Sequence, residues 1–230
     1  MHRPALMRFA LGMGMLIVMM LALTACGGGG GGGEPRAKAR PLPLYENGLR
    51  PGEYHSEEFK PPLSFKLGKG WSSTDELSDW IQLGQQGEIG NLHFANVKEV
   101  YKPGTTNVVE APKDLVGWLQ HHPYLKTSKP QPVTVGGVKG EQLEVLIDHL
   151  PKNPNVYCDP EPSGCLDIFN LSGDDQIGYF GKNFNKRRLI VFGDVKGDTV
   201  VIWYAGPPDT FEKFAPKAQK VVDSVKWGGS

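Results

Sequence analysis

The chain reads as a single α+β domain, an antiparallel β-sheet packed against two main helices, set behind an apolar leader and a glycine-rich stalk. Three observations predict this. Short apolar runs recur between Gly- and Pro-rich breaks from Tyr54 to Tyr204, as strands joined by tight turns require. Two stretches, Pro112 to His122 and Phe211 to Val225, switch to an apolar spacing of three and four, the helical period. Residues 44–230 are enough chain for one sizeable core, and no internal repeat divides them.

The elements follow in order. After the Arg50-Pro51-Gly52 turn, Tyr54 to Phe59 is a first extended piece. Leu63-Ser64-Phe65-Lys66-Leu67 alternates apolar and polar, as a half-buried strand does. Gly68 to Gly70 turns, and Trp71 plugs the core. Ser72-Ser73-Thr74-Asp75 reads as a turn or a helix cap. Trp80 to Leu83 is a short strand. Asn91 to Tyr101 is a longer one whose pattern slips at Ala95-Asn96, the mark of a bulge. Pro112 suits a first helical position, and Pro123 stops the helix that follows. Val133 to Val135, Gly136-Gly137 and Val138 to Ile147 spell a hairpin. Further strands are Asp167 to Leu171, Gln176 to Phe180, Arg188 to Phe192 and Thr199 to Tyr204. The last two are so continuously apolar that they belong at the centre of the sheet. Asp209-Thr210-Phe211-Glu212 fits a capping box with Asp209 as cap. The closing helix then carries Phe211, Phe214, Ala215, Ala218, Val221, Val222 and Val225 on one stripe, with Pro216 as a point of kinking or restart. Trp227 ends the domain on a short extended segment.

Two of these segments resemble a known family. Phe65-Lys66-Leu67-Gly68-Lys69-Gly70-Trp71 is similar to the strand and Gly-Trp turn that open PsbP-like domains. Val221-Val222-Asp223-Ser224-Val225 is similar to the end of their closing helix, and a hairpin precedes it in the same order. The resemblance spans Leu63 to Trp227 and implies an accessory or binding module without shared catalytic residues. The Cys158–Cys165 loop and the His122-Pro123 region have no counterpart in it, and a fold resemblance transfers little function.

The leader is legible on its own terms. His2, Arg3 and Arg8 form a basic start, Phe9 to Leu23 is almost wholly apolar, and Leu23-Thr24-Ala25-Cys26 closes the run. That is a secretory pattern, too short for a spanning helix. The four residues resemble the lipobox of bacterial lipoproteins. The resemblance implies cleavage of residues 1–25 and acylation of Cys26, which becomes the bilayer anchor. Gly27 to Gly33 and the Pro-rich stretch to Pro43 make residues 26–43 a flexible stalk. A glycine after the lipid site resembles the default outer-membrane sorting signal of hosts that have an outer membrane.

Two cysteines remain, Cys158 and Cys165, in a short loop rich in turn formers. Outside the cytoplasm such a pair reads as a structural disulfide. Residues 1–25 hold two of the 25 basic residues and none of the 25 acids, so the rest carries a formal charge near −2. That argues against a nucleic-acid partner.

No nucleophile elbow, zinc-protease run, phosphate loop or dinucleotide fingerprint occurs. His121 and His122 point about 100° apart on a helix, and His93 and His149 join them only through the fold. These read as packing or surface histidines, so no metal and no cofactor is expected. Asp174-Asp175 reads as an acidic turn, short of the six to eight oxygens that calcium takes. Lys182, Lys186, Arg187 and Arg188, with Tyr179, Phe180 and Phe184, form the strongest charge cluster. They are placed at a hairpin tip as candidates for contact with an anionic partner such as a wall polymer. Trp71, Trp80, Trp118, Trp203 and Trp227 read as core. The expectation is a non-enzymatic binding or accessory module of the bacterial cell envelope, lipid-anchored on the extracytoplasmic side. An unidentified envelope protein or polymer would be its partner. The alternatives are a small apolar ligand carrier, which needs a pocket between sheet and helix, and a hydrolase, which needs a nucleophile and base in reach.

Overall fold

The computed structural model describes residues 38–87, 90–152, 164–172, 179–181 and 184–228. Strands dominate it. In chain order they are β1 Arg40–Pro41, β2 Gly52–His55, β3 Leu63–Leu67, β4 Trp71–Leu77, β5 Trp80–Gln85, β6 Asn91–Asn96, β7 Glu99–Tyr101 and β8 Val108–Glu110. Helix α1, Leu115–Gln120, intervenes before β9 Leu125–Thr127, β10 Gln131–Val135, β11 Val138–Ile147, β12 Cys165–Asp167, β13 Phe169–Asn170 and β14 Tyr179–Gly181. The chain closes with β15 Lys186–Val195, β16 Asp198–Gly206, α2 Phe211–Val222 and β17 Lys226–Trp227. No helix among the described residues is long and apolar enough to cross a membrane.

The central sheet has eight strands, in the order β10-β11-β15-β16-β6-β5-β4, with β9 also paired to β11. All its pairings are antiparallel. A second sheet, β1-β2-β3-β17, includes one parallel pair, and two small sheets, β12-β14 and β13-β7-β8, complete the set.

Alternation along the central strands sends side chains to two separate cores. Ile81, Phe94, Ile190, Phe192, Ile202 and Tyr204 point to one side. There they meet Phe65 of β3 and Phe211, Phe214 and Val221 of α2. Trp80, Ala95, Leu143, Leu189, Val201 and Trp203 point to the other side, against Leu115 and Leu119 of α1, Phe169 and Phe180. Both faces are covered, so the middle strands are apolar on both, as their continuous runs predict.

The α+β expectation of an antiparallel sheet on two main helices is therefore corrected. Among the described residues the protein is mostly β, with several sheets, and the two helices have only six and twelve residues. Short strands share the covering of the two faces with these helices. Helix α1 is short because it begins at the Asp114 cap, whose carboxylate accepts the Gly117 N–H at 2.8 Å, so Pro112 lies outside it. Ser72 to Asp75 is part of strand β4, not a turn or cap. It pairs with β5 through a register shift between Ser73 and Asp75. The outer edge of β4 is covered in part, since Leu49 N–H donates to Trp71 O at 2.7 Å and Ser73 N–H to Glu46 O at 3.0 Å. The cap of α2 is Thr210 rather than Asp209, without a side-chain capping bond, and the helix runs through Pro216. The β10–β11 hairpin is as expected. Gly136 and Gly137 both have positive φ, and a Cβ on Gly136 would come within 2.7 Å of Val225 O.

Candidate functional site

The basic cluster does not form a hairpin tip. Lys186, Arg187 and Arg188 begin β15, opposite Gly206, Ala205 and Tyr204 of β16, and alternation splits them between the two faces. Lys186 pairs with Glu212 of α2 and lies 5.1 Å from the centre of the Phe211 ring. Arg187 goes to the opposite side and is 2% exposed. Its guanidinium sits 4.5 Å from the Phe180 ring centre and donates to Gly181 O at 2.7 Å. Lys182 lies outside the described residues.

Arg188 returns to the α2 side and stands at the margin of the core. Its Nη2 donates to Glu144 Oε1 at 2.9 Å and its Nη1 to the Tyr204 hydroxyl at 3.3 Å. Tyr204 in turn donates to Gln219 Oε1 at 2.7 Å, and Gln219 donates to Asp223 at 2.7 Å. The chain of bonds thus runs from β11 through β15 and β16 to α2. Burial pushes the Tyr204 phenol up. Burial alone would weaken the Arg188 charge, but the hydrogen bonds and charges of Glu144 and Tyr204 together outweigh it and push the guanidinium pKa up.

The outer end of this network opens into a groove of about 350 Å³, lined by Ser128, Lys129, Gln131, Gln142, Glu144 and Arg188. Its origin is a break in the edge of the sheet. Strands β9 and β10 both pair with β11, and the link between them turns away at Ser128. Glu144 N–H donates to Ser128 Oγ at 2.9 Å, and Ser128 N–H donates to Glu144 O at 3.0 Å. A second groove, of about 280 Å³, lies at the start of α1 beside Lys113, Lys139, Glu141 and Val191.

The opposite face encloses a different set. Leu143, Leu189, Trp203, His93 and Gln82 follow one another across five strands in register. His93 lies 4.7 Å from the Trp80 ring and 4.8 Å from that of Trp203, and its buried Nδ1 has no hydrogen-bond partner among the described residues. Burial first, and the Arg187 charge second, push its pKa down to about 3. His122 is also buried, edge-on to Trp118 at 5.0 Å, and its Nε2 has no partner among the described residues. Burial pushes its pKa down to about 4.

The remaining candidates separate. His121 caps its own helix turn through Gly117 O at 2.7 Å, and His149 contacts Asp148 and the Tyr124 ring. Among the described residues no three His, Cys, Asp or Glu side chains come together to hold a metal. Trp71, Trp80 and Trp203 are core, while Trp118 and Trp227 are half-buried. The space between sheet and α2, where a carrier would need its cavity, holds the stacked Phe65 and Phe94 rings at 5.4 Å and Trp71 against Phe214 at 6.1 Å. Cys165 is buried at the start of β12. Cys26, Cys158, Asp174 and Asp175 lie outside the described residues.

Sequence reading missed Glu144, Tyr204, Gln219, Ser128 and Gln142. The one available signal was the opposite charge of Glu144 and Arg188, and using it requires the β11–β15 register.

No family model matches the chain, and no curated protein matches it. Two solved structures are similar to it in part. A crystal structure from Bacteroides thetaiotaomicron VPI-5482 overlaps at 11% identity and a TM-score of 0.38, over 72% of this chain and 44% of that one. The chain thus spans less than half the length of that protein. The solution structure of cyanobacterial PsbP (CyanoP) from Synechocystis sp. PCC 6803 overlaps at 11% identity and a TM-score of 0.41, over 76% of this chain and 92% of that one. Overlaps of that quality carry no argument about fold family or activity.

Proposed function

We propose that this chain is a lipid-anchored binding module of the bacterial envelope, with a PsbP-like, β-rich domain carried on a stalk that starts at Cys26 and ends where β1 begins at Arg40, since β1 pairs with β2 and Leu42 is buried. The observation that carries the reading is Leu23-Thr24-Ala25-Cys26, placed directly after an apolar run with a basic start and directly before seven glycines. One acyl chain holds a protein only marginally at a bilayer, whereas two or more hold it firmly. An acylated Cys26 would therefore fix the domain to the membrane, and the stalk would let it search the space above. The domain contributes by binding rather than turnover. Its groove offers amide, hydroxyl and paired charged groups, and Arg188 is committed to Glu144 and Tyr204. Within the same reading Cys158 and Cys165 form a disulfide that closes the loop before β12.

The test is expression of the full chain in a bacterial host with an alkyne-tagged fatty acid. The expected result is label on the wild type, found in the membrane fraction, and an unlabelled, released Cys26→Ser variant. A Cys26→Ser protein that stays wholly with the membrane refutes the anchor. For the disulfide, alkylation of the denatured protein should modify Cys158 and Cys165 only after reduction. Modification without reductant refutes the bond.

A further inference from the structure

We propose that the groove at the break between β9 and β10 binds the carboxylate end of a short peptide, with Arg188 as the carboxylate anchor. The volume, about 350 Å³, lies at the small end of the range for ligand pockets, about 300–1,000 Å³. Four features set the chemistry.

The first is a cation held in place before any ligand arrives. Arg188 is fixed by Glu144 and by the chain through Tyr204, Gln219 and Asp223, yet its side chain remains 25% exposed at the groove wall. A guanidinium carries five N–H donors in a planar fork that matches a carboxylate. Nε is buried and out of a ligand's reach, so the end-on pair Nη1 and Nη2 is what the fork offers, and among the described residues only one bond leaves each of them. The fork is under-bonded and already oriented, so a ligand need not spend affinity on ordering it.

The second is the charge balance. Arg188 and Lys129 face one acid, Glu144, so the groove is positive by one charge. That suits a monoanion. A dianion such as a phosphate monoester would meet repulsion from Glu144.

The third is the set of neutral groups. Gln142 has no side-chain bond among the described residues, and Gln131 makes only a long one, to Lys129 O at 3.5 Å. Each amide offers a donor and an acceptor, the complement of a peptide bond. Glu144 Oε2 has no partner among the described residues and can take a peptide N–H. No aromatic side chain lines the groove to receive a sugar face.

The fourth concerns the edge itself. Strand β10 contains Pro132, which lacks an N–H, and Val135 O is taken by the Trp227 indole at 2.9 Å. An added strand would find a broken ladder there. Recognition through the groove side chains is the available mode.

This deepens the binding-module reading of the domain and is independent of its lipid anchor. Failure of peptide binding leaves the Cys26 result standing, and failure of acylation leaves this one standing. The experiment titrates the full chain, in detergent micelles, with tri-alanine, tri-alanine amide and acetate. Binding is read from the NMR side-chain amide signals of Gln131 and Gln142. Tri-alanine should saturate. The amide and acetate should each bind about tenfold more weakly, the scale of one charged hydrogen-bonded contact. Arg188→Lys, which keeps the charge and loses the fork, should weaken tri-alanine about tenfold. Lys129→Gln should weaken it by about threefold, and because Lys129 is exposed it keeps the test alive if Arg188→Lys fails to fold. The proposal is overturned if acid and amide bind within about twofold of each other, if acetate matches tri-alanine, or if nothing saturates.

Discussion

On the α2 side of the central sheet, Arg188 and Glu144 stand at the margin of an apolar core that buries Tyr204. On the opposite side His93 and Arg187 sit inside one. The first set is chained by hydrogen bonds from β11 to α2 and opens into a groove. The second is walled by Trp80, Trp203, Phe169 and Phe180, whose rings lie within 4.7–6.4 Å of one another or of His93. Both sides carry polar groups on neighbouring strands of the same sheet. The difference is that one network reaches water and stays charged, while on the other side burial forces an imidazole to stay neutral. A ligand can reach the first and cannot reach the second without opening the fold.

The comparison can be broken in four ways, taken from the largest effect down. Trp203→Ala removes the ring shared by His93, Phe169 and Phe180 and should cost about 3–5 kcal/mol. Urea unfolding measures it, and a loss below about 1 kcal/mol would mean that this face is not a packed core.

Acid should act on the sealed face. Above about pH 6.5 both histidines are neutral folded and unfolded, and their contribution to stability is complete. As pH falls below that value the unfolded chain takes up protons. The folded protein does not, until His122 titrates at about 4 and His93 at about 3. Stability should therefore fall by about 1.4 kcal/mol per pH unit for each histidine in that window. Urea midpoints at pH 7.5 and 5.0 measure the slope, and His93→Gln should remove about half of it. Equal midpoints at the two pH values would contradict the seal.

On the open face, Tyr204→Phe removes the hydroxyl between Arg188 and Gln219 and should cost about 1 kcal/mol, equally at pH 5.5 and 7.5. A cost that grows with acid would tie the two faces together. The smallest effect is expected from Asp114→Ala at the cap of α1, about 0.5–1 kcal/mol by thermal unfolding. A larger loss would give that short helix more of the sealed core than its six residues suggest.

Local patterns made some of this legible. The Gly136-Gly137 hairpin, the apolar runs of β15 and β16 and the stripe of α2 follow from spacing alone, because each buries side chains in a fixed rhythm. Strand β4 was hidden because Ser72, Ser73 and Thr74 resemble a cap. Its strand character comes from pairing with β5 and from Glu76, a buried acid that accepts the Glu58 N–H at 3.1 Å. The short strands that lie beside the helices were hidden for the same reason. Two or three residues carry no period, and β7 becomes a strand only through pairing, with β8 on one side and with Phe169 opposite Val100 on the other.

The site was legible to the same extent. Arg188 was visible as a charge, but its partners lie on β11 and β16, which only the register brings together. His93 sat between Leu92 and Phe94 in a strand whose two faces are both buried, and that placement decides its chemistry more than its neighbours in sequence do.

The seal itself is tested most directly by following the histidine ring nitrogens by NMR from pH 7.5 to 5.0. The expected result is that His93 and His122 keep neutral-imidazole shifts throughout. Titration of either ring near pH 6.5 would contradict it.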